Sequence, residues 1–192
     1  MKKLSFGVGY NSKGKHKSTK NGKFTGAYLT WRNMLKRCYD EKNRTRYPSY
    51  GDCTIDEKWH DFQDFADWFE DHDYSNMGYQ LDKDILHPKN KIYSPDKCCF
   101  VPRQLNTLII GSEAARGAYP QGVSYCKIKQ KIKVQMKKDG VNSILGFFDD
   151  VETAVKTYKE AKECHVKHKA SQWRGRISED VFDALMAWEM TE

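Results

Sequence analysis

The residues of this chain best equipped for chemistry lie in one short run, "LDKDILHPKNKIYSPDKCCFVPRQLN", from Leu81 to Asn106. Asp82 and Asp84 flank Lys83; His87, the adjacent Cys98 and Cys99, and Asn106 follow. Carboxylate and amide oxygens suit a hard divalent cation, and a lysine beside them can meet phosphate. Three readings are open on residue type alone. The run is a metal-dependent catalytic site, a working site with an unusual residue, or a buried hairpin whose polar groups only close a turn.

Charge distribution narrows the chemistry. The chain has 192 residues and a formal net charge of +7. Residues 1–25 carry seven lysines and no acid, whereas residues 52–84 carry eleven acids and two basic residues, Lys58 and Lys83. From Lys89 to Lys138 the chain is basic again. Carboxylates that hold cations, placed between lysines that hold phosphates, fit a polyanion partner; plain solvated surface charge fits equally well. Mean hydropathy is −0.84, and no apolar run approaches the roughly 18 residues of a membrane span. The start, "MKKLSFGVGYNSKGK", lacks the apolar stretch of a signal peptide. The expectation is a cytoplasmic protein without a membrane partner, whose six cysteines are thiols or metal ligands rather than disulfides.

The elements that would position these residues can be read from periodicity. Residues 1–25 predict a flexible basic arm. "AYLTWRNMLKRCYD" predicts a helix with Leu29, Met34, Leu35 and Cys38 on its apolar face and Trp31 at the edge. "NRTRYPSYGDC" predicts a loop. "WHDFQDFADWFEDH" predicts a helix whose Trp59, Phe62, Phe65, Ala66 and Phe69 form a buried stripe opposite an acidic face. "YQLDKDI" and "CCFVP" then predict two strands joined by a long turn, and "RQLNTLII" the helix after them. These make a first module over 26–112, followed by a Gly/Ala-rich linker at 113–117.

The pattern then changes to alternation. Lys127, Lys129, Lys131, Lys133, Gln135 and Lys137 fall on one face of a strand, and Ile128, Gln130, Ile132, Val134 and Met136 on the other. Asp139-Gly140 marks a hairpin turn, "SILGFF" a third strand, and "DDVETAVKTYKEAKECHVKHKA" a long helix capped by Asp149 or Asp150. This is a second module over 118–172, with a last helix within 173–192 capped by Ser178. Lysines on one sheet face repel each other, so the face meets a polyanion or open water. A two- or three-stranded sheet can enter the major groove of DNA.

"GVSYCKIKQKIKVQMKKDGVNSILGFFDDVETAVKTYKEAKECH" resembles the ethylene-response-factor, or APETALA, type of DNA-binding domain. The match rests on Gly122-Val123, Leu145-Gly146, Phe148, Glu152, Ala154 and Tyr158. The resemblance implies a three-stranded sheet that reads double-stranded DNA in the major groove, backed by the helix. Ile132 stands where that family usually places Trp, and lysines stand where it often has arginines. Lysine is a poorer bidentate reader of guanine.

The first module is similar to the HNH-type proteins of bacteriophages, on "WRNMLKRCY", "YPSYGDCTIDEKWHDFQDFADWF", "LDKDIL" and "YSPDKCCFVPRQLN". Many such proteins join an HNH-like module to the sheet domain just described, in this order. The implied fold is α+β: an HNH-like ββα-metal module, then a three-stranded antiparallel sheet on one helix, plus a C-terminal helix. The implied function is a DNA endonuclease of homing-endonuclease type, a hydrolase using one Mg²⁺ (or Mn²⁺), acting in the host bacterial cytoplasm if phage-encoded. Carried over by position, Asp82 and Asn106 become metal ligands, and Lys83 falls where the family often places its general-base histidine. Lys97 falls where it often has Asn or Thr.

A lysine of ordinary pKa, about 10.4, is protonated at neutral pH and accepts no proton. Asp84 or a histidine (His87, His60 or His72) then serves as base, the metal activates water unaided, or the module keeps only its fold as a DNA-binding or host-interaction protein. The plainer roles are a turn-capping carboxylate for Asp82 and a helix-surface amide for Asn106. Among the cysteines, Cys38, Cys53 and Cys98 are the candidates for a structural Zn²⁺, although zinc wants four Cys/His ligands and the chain has no C-x-x-C pair. Buried thiols are the default alternative.

Overall fold

Residues 4–12 and 14–24 do not form a free arm but fold back on an acidic helix. The computed structural model describes residues 4–12, 14–72, 78–109 and 119–190. Its chain divides into two compact units, Met1–Arg103 and Gln104–Glu192, so the division falls earlier than the boundary expected at 112. The expected linker at 113–117 lies outside the described residues.

In the first unit the N-terminal loop is held at Asp61 and Gln63. The Asp61 carboxylate accepts from Ser12 N at 3.0 Å, and Gln63 bonds His16 N, His16 O and Asn11 Oδ1 at 2.8 to 3.0 Å. Lys15 and His16 then meet Asp67, at 2.7 and 2.9 Å. The acidic face opposite the aromatic stripe is what meets this lysine-rich segment. A small hairpin follows, β1 (Thr19–Lys20) with β2 (Lys23–Phe24).

Thr25 caps helix α1 (Gly26–Tyr39) by accepting from Tyr28 N, and Lys36 and Arg37 sit favourably in its last turn. Trp31, Met34, Leu35 and Cys38 are buried, while Leu29 is exposed. Trp31 is thus core rather than edge, because its indole N–H reaches the Trp59 carbonyl at 2.8 Å. Asp40 caps a further helix, α2 (Glu41–Arg46), where a loop was expected. None of its residues is buried, so it leaves no apolar period to detect. After β3 (Thr54–Ile55), Asp61 caps α3 (Phe62–Asp71), and the predicted stripe of Trp59, Phe62, Phe65, Ala66 and Phe69 is core throughout. Strand β4 (Tyr79–Asp82) pairs antiparallel with β6 (Cys99–Pro102), as the spacing predicts. Between them β5 (Ile92–Tyr93) pairs in parallel with β3, a link too short to carry a period. Helix α4 (Arg103–Ile109) follows β6 and from Gln104 onward belongs to the second unit.

The second unit is a three-stranded antiparallel sheet, β7 (Val123–Cys126), β8 (Lys131–Lys138) and β9 (Val141–Phe148), in the order β7-β8-β9. Asp139 and Gly140 turn β8 into β9 with φ of 49° and 88°, the left-handed pair that a tight hairpin requires. Helix α5 (Val151–Gln172), capped by Asp150, lays Ala154 and Tyr158 against Val123, Ile132, Val134 and Met136. Helix α6 (Glu179–Met186), capped by Ser178, buries Val181, Phe182 and Leu185. The whole is an α+β protein of small sheets and helices.

Gly122 shows how closely α5 approaches the sheet. Its φ is +77°, and a Cβ there would lie 2.0 Å from the Tyr158 ring. Gly122→Ala is expected to destabilise the second unit by about 2 kcal/mol or more, read as a lower urea midpoint. An unchanged midpoint would mean that the ring moves aside at little cost.

Candidate functional site: a polar hairpin and a lysine-faced sheet

The strand pair β4–β6 ends at Asp82, opposite Cys99. Asp82 Oδ1 accepts from Asp84 N and Ile85 N at 2.7 and 2.8 Å. It therefore closes the turn, in the manner of an Asx motif. Burial pushes the Asp82 carboxyl above its usual range, against the opposing pull of the Ile85 and Asp84 N–H bonds. Folding takes up a proton here between the unfolded value of about 3.9 and the raised folded value. The stability this group contributes is full below that unfolded value and is lost as pH rises through the folded one. Asp82→Asn keeps an oxygen to cap the turn and removes the titration. The variant is expected to gain stability relative to the parent as urea titrations move from about pH 3.5 to about pH 7. A gap constant with pH would show that Asp82 titrates as in the unfolded chain.

Lys83, expected at the position of a general base, is 5% exposed and turned inward. Its ammonium donates to both oxygens of Asp84 at 2.7 Å and to the Asn90 carbonyl at 2.7 Å, and it stands 5.8 Å from the Tyr93 ring centre. Every strong contact is to an acceptor, so the N–H donors of this side chain are spent inside the fold. Asp84 is half-exposed with both oxygens engaged by this lysine. His87 lies exposed in the turn. His72 stacks on Trp68 at 4.5 Å, and His60 stands edge-on to Tyr39. Asn106 is buried on α4 rather than at a helix surface. Asn90 is a residue the sequence did not single out. Its amide donates to the Lys83 and Ile92 carbonyls at 3.0 and 2.7 Å, and its oxygen accepts from Ile92 N at 3.0 Å. The Pro-Lys-Asn run at 88–90 was the available signal.

Among the described residues, no group of three or more His, Cys, Asp or Glu side chains is placed to hold a metal ion. Cys38, Cys53 and Cys98 are buried thiols. Burial pushes Cys38 and Cys98 each to about 12 and raises Cys53. In that environment they pack as small apolar groups. For a divalent ion at the hairpin, Asp82 is the carboxylate available, with one oxygen already capping the turn. Mg²⁺ can be held by one or two carboxylates completed by substrate phosphates, so this donor fits such an ion only together with a bound nucleic acid.

On the sheet, the buried face is Val123, Ile132, Val134 and Met136. The opposite face carries Lys131, Lys133, Gln135 and Lys137 of β8. Lys127 and Lys129, expected on the same strand, instead lie in the turn between β7 and β8, whose last residue, Gln130, has φ 50°. The alternation of lysines runs on through the turn, so composition could not mark where the ladder ends. Ile128, expected on the buried side, is 95% exposed there. Lys129 still reaches back to the sheet, its ammonium 3.9 Å from the Phe147 ring centre. Lys131 meets Asp149 at 3.0 Å in an exposed pair, which contributes little and exchanges readily.

Among the described residues no helix is long and apolar enough to cross a membrane. Compared with family models, curated proteins and solved structures, the chain matches none.

Proposed function

We propose that this chain is a double-stranded-DNA-binding protein that grips the duplex with the outer face of β7-β8-β9, and that its HNH-like hairpin serves as scaffold. One observation carries the reading. A sheet with a packed apolar back turns Lys131, Lys133 and Lys137 outward on one strand. Side chains of like charge at alternate positions make an electrostatic footprint for a phosphate backbone. The hairpin supports the scaffold role because its lysine is spent on Asp84 and Asn90 inside the fold. Fluorescence anisotropy against a labelled duplex tests it. Binding should weaken steeply with salt, with a log–log slope of about −3 or steeper, since each neutralised phosphate contributes about −0.9. No binding, or binding indifferent to salt, overturns it.

A second reading, a Mg²⁺- or Mn²⁺-dependent HNH endonuclease, is favoured by Asp82. Its buried carboxyl is relieved by a cation, and β4, β6 and α4 follow one another in the expected strand–strand–helix order. In that case the protein nicks supercoiled plasmid with either ion, and Asp82→Ala or Asn106→Ala abolishes the nicking. Intact plasmid under both ions removes this reading and leaves DNA binding untouched.

A further inference from the structure

The outer face of the sheet is not uniformly basic. In the ladder between β8 and β9, Val134 faces Gly146, and the next pair is Gln135 with Ile144. Leu145 is the extra residue of a bulge, and its side chain packs on the core side. The bulge has a directional consequence. In an unbroken strand Ile144 and Phe147, three residues apart, would face opposite ways. With Leu145 inserted, both reach the outer face. Phe147 is then covered by the Lys129 ammonium. Ile144 is 59% exposed, directly across from exposed Gln135, between the Lys133–Phe147 and Lys137–Asn142 pairs.

A branched aliphatic side chain beside a primary amide, with ammonium groups on either side along β8, is a poor surface for water and a good one for a base-pair edge. In the major groove adenine offers the N6 donor and N7 acceptor that a glutamine amide meets with two hydrogen bonds. The paired thymine offers a 5-methyl that takes apolar contact. The flanking lysines cannot make the guanine contact bidentately as arginine does, and suit the phosphates instead. We infer that the cross-strand pair Gln135–Ile144 reads an A·T base pair in the major groove, Gln135 at the adenine edge and Ile144 at the thymine methyl. This rests on the duplex-binding reading above and adds to it a base preference and the two residues that set it.

The test is selection of bound sites from a random-sequence duplex pool by the full chain, followed by affinities for the selected duplex. The parent protein should enrich A·T at one position at least. Exchange of that pair for G·C should cost about tenfold in affinity, and exchange of its thymine for uracil, which deletes only the methyl, about threefold. Gln135→Ala should shrink the A·T to G·C difference to about the threefold that the thymine methyl supplies through Ile144. Ile144→Ala should abolish the uracil effect while keeping the Gln135 preference. Gln135→Arg should move the preference at that position to G·C. Both positions are exposed, so the variants keep the fold, and the two alanine variants should retain the parent's salt slope. Failure of the parent to bind any duplex overturns the DNA reading itself. Salt-dependent binding without an A·T position, or with one that survives Gln135→Ala and Ile144→Ala, overturns this inference and leaves the DNA reading standing.

Discussion

Reversing Lys131, Lys133 and Lys137 together to glutamate is expected to weaken duplex binding more than a hundredfold. It should also flatten the log–log salt slope by roughly 2 to 3, since each lost phosphate contact removes about 0.9. The effect is large because the change acts twice: three attractions disappear and three repulsions replace them. All three side chains stand on the outer face of β8, away from the packed side formed by Ile132, Val134 and Met136. The fold should therefore survive, which far-ultraviolet circular dichroism can verify. Lys131→Glu alone places a carboxylate beside Asp149, its present partner at 3.0 Å, so the single variant mixes local repulsion with loss of DNA contact. Lys133→Glu and Lys137→Glu as a pair separate the two. Unchanged affinity in the triple variant would place the duplex on another surface of the chain.

The second unit was the more legible in the sequence because its signals are local. A hairpin at Asp139-Gly140, alternation along β8 and a capped amphipathic α5 each declare themselves within a few residues. The failure there, from Lys127 to Gln130, came from lysines that keep their spacing through a turn. The bulge at Leu145 was also silent, because an inserted residue changes facing without changing composition. In the first unit the aromatic stripe of α3 was plain, but the fate of residues 4–12 and 14–24 was not. A Gly- and Lys-rich segment reads as solvated unless its partner is known. Here the partner is the acidic face of α3, over forty positions away, at Asp61, Gln63 and Asp67. The hairpin was legible as strand, turn, strand and helix, but not in the facing of its side chains. "LDKDIL" has the residue types of a catalytic run, and type does not tell which way a side chain turns. The inward turn of Lys83 depends on Asn90 and Tyr93, brought close by β5 pairing with β3, a contact between two dipeptides that no window of sequence displays.

That inward turn leads to the sharpest stability prediction, an asymmetry between two neighbours. Lys83 is buried and Asp84 half-exposed, their side chains 6% and 49% accessible. Removing the carboxylate in Asp84→Ala strands an ammonium inside the fold with the Asn90 carbonyl and the Tyr93 ring as its remaining neighbours. Losing one partner of a buried pair costs about 3 kcal/mol. Lys83→Met removes the buried charge instead and fills much of the same space. Asp84 then turns to water, and the main loss is the hydrogen bond to the Asn90 carbonyl, about 1 kcal/mol. Asp84→Ala should therefore be the more destabilising by about 2 kcal/mol, in urea unfolding and in amide exchange across 79–102. The double variant Lys83→Met/Asp84→Ala should recover most of that loss, since no charge is left stranded. Recovery is the diagnostic sign, because two independent losses would add. If Asp84→Ala is silent and the double variant no better, Lys83 is not a structural cation, and its ammonium is available to phosphate.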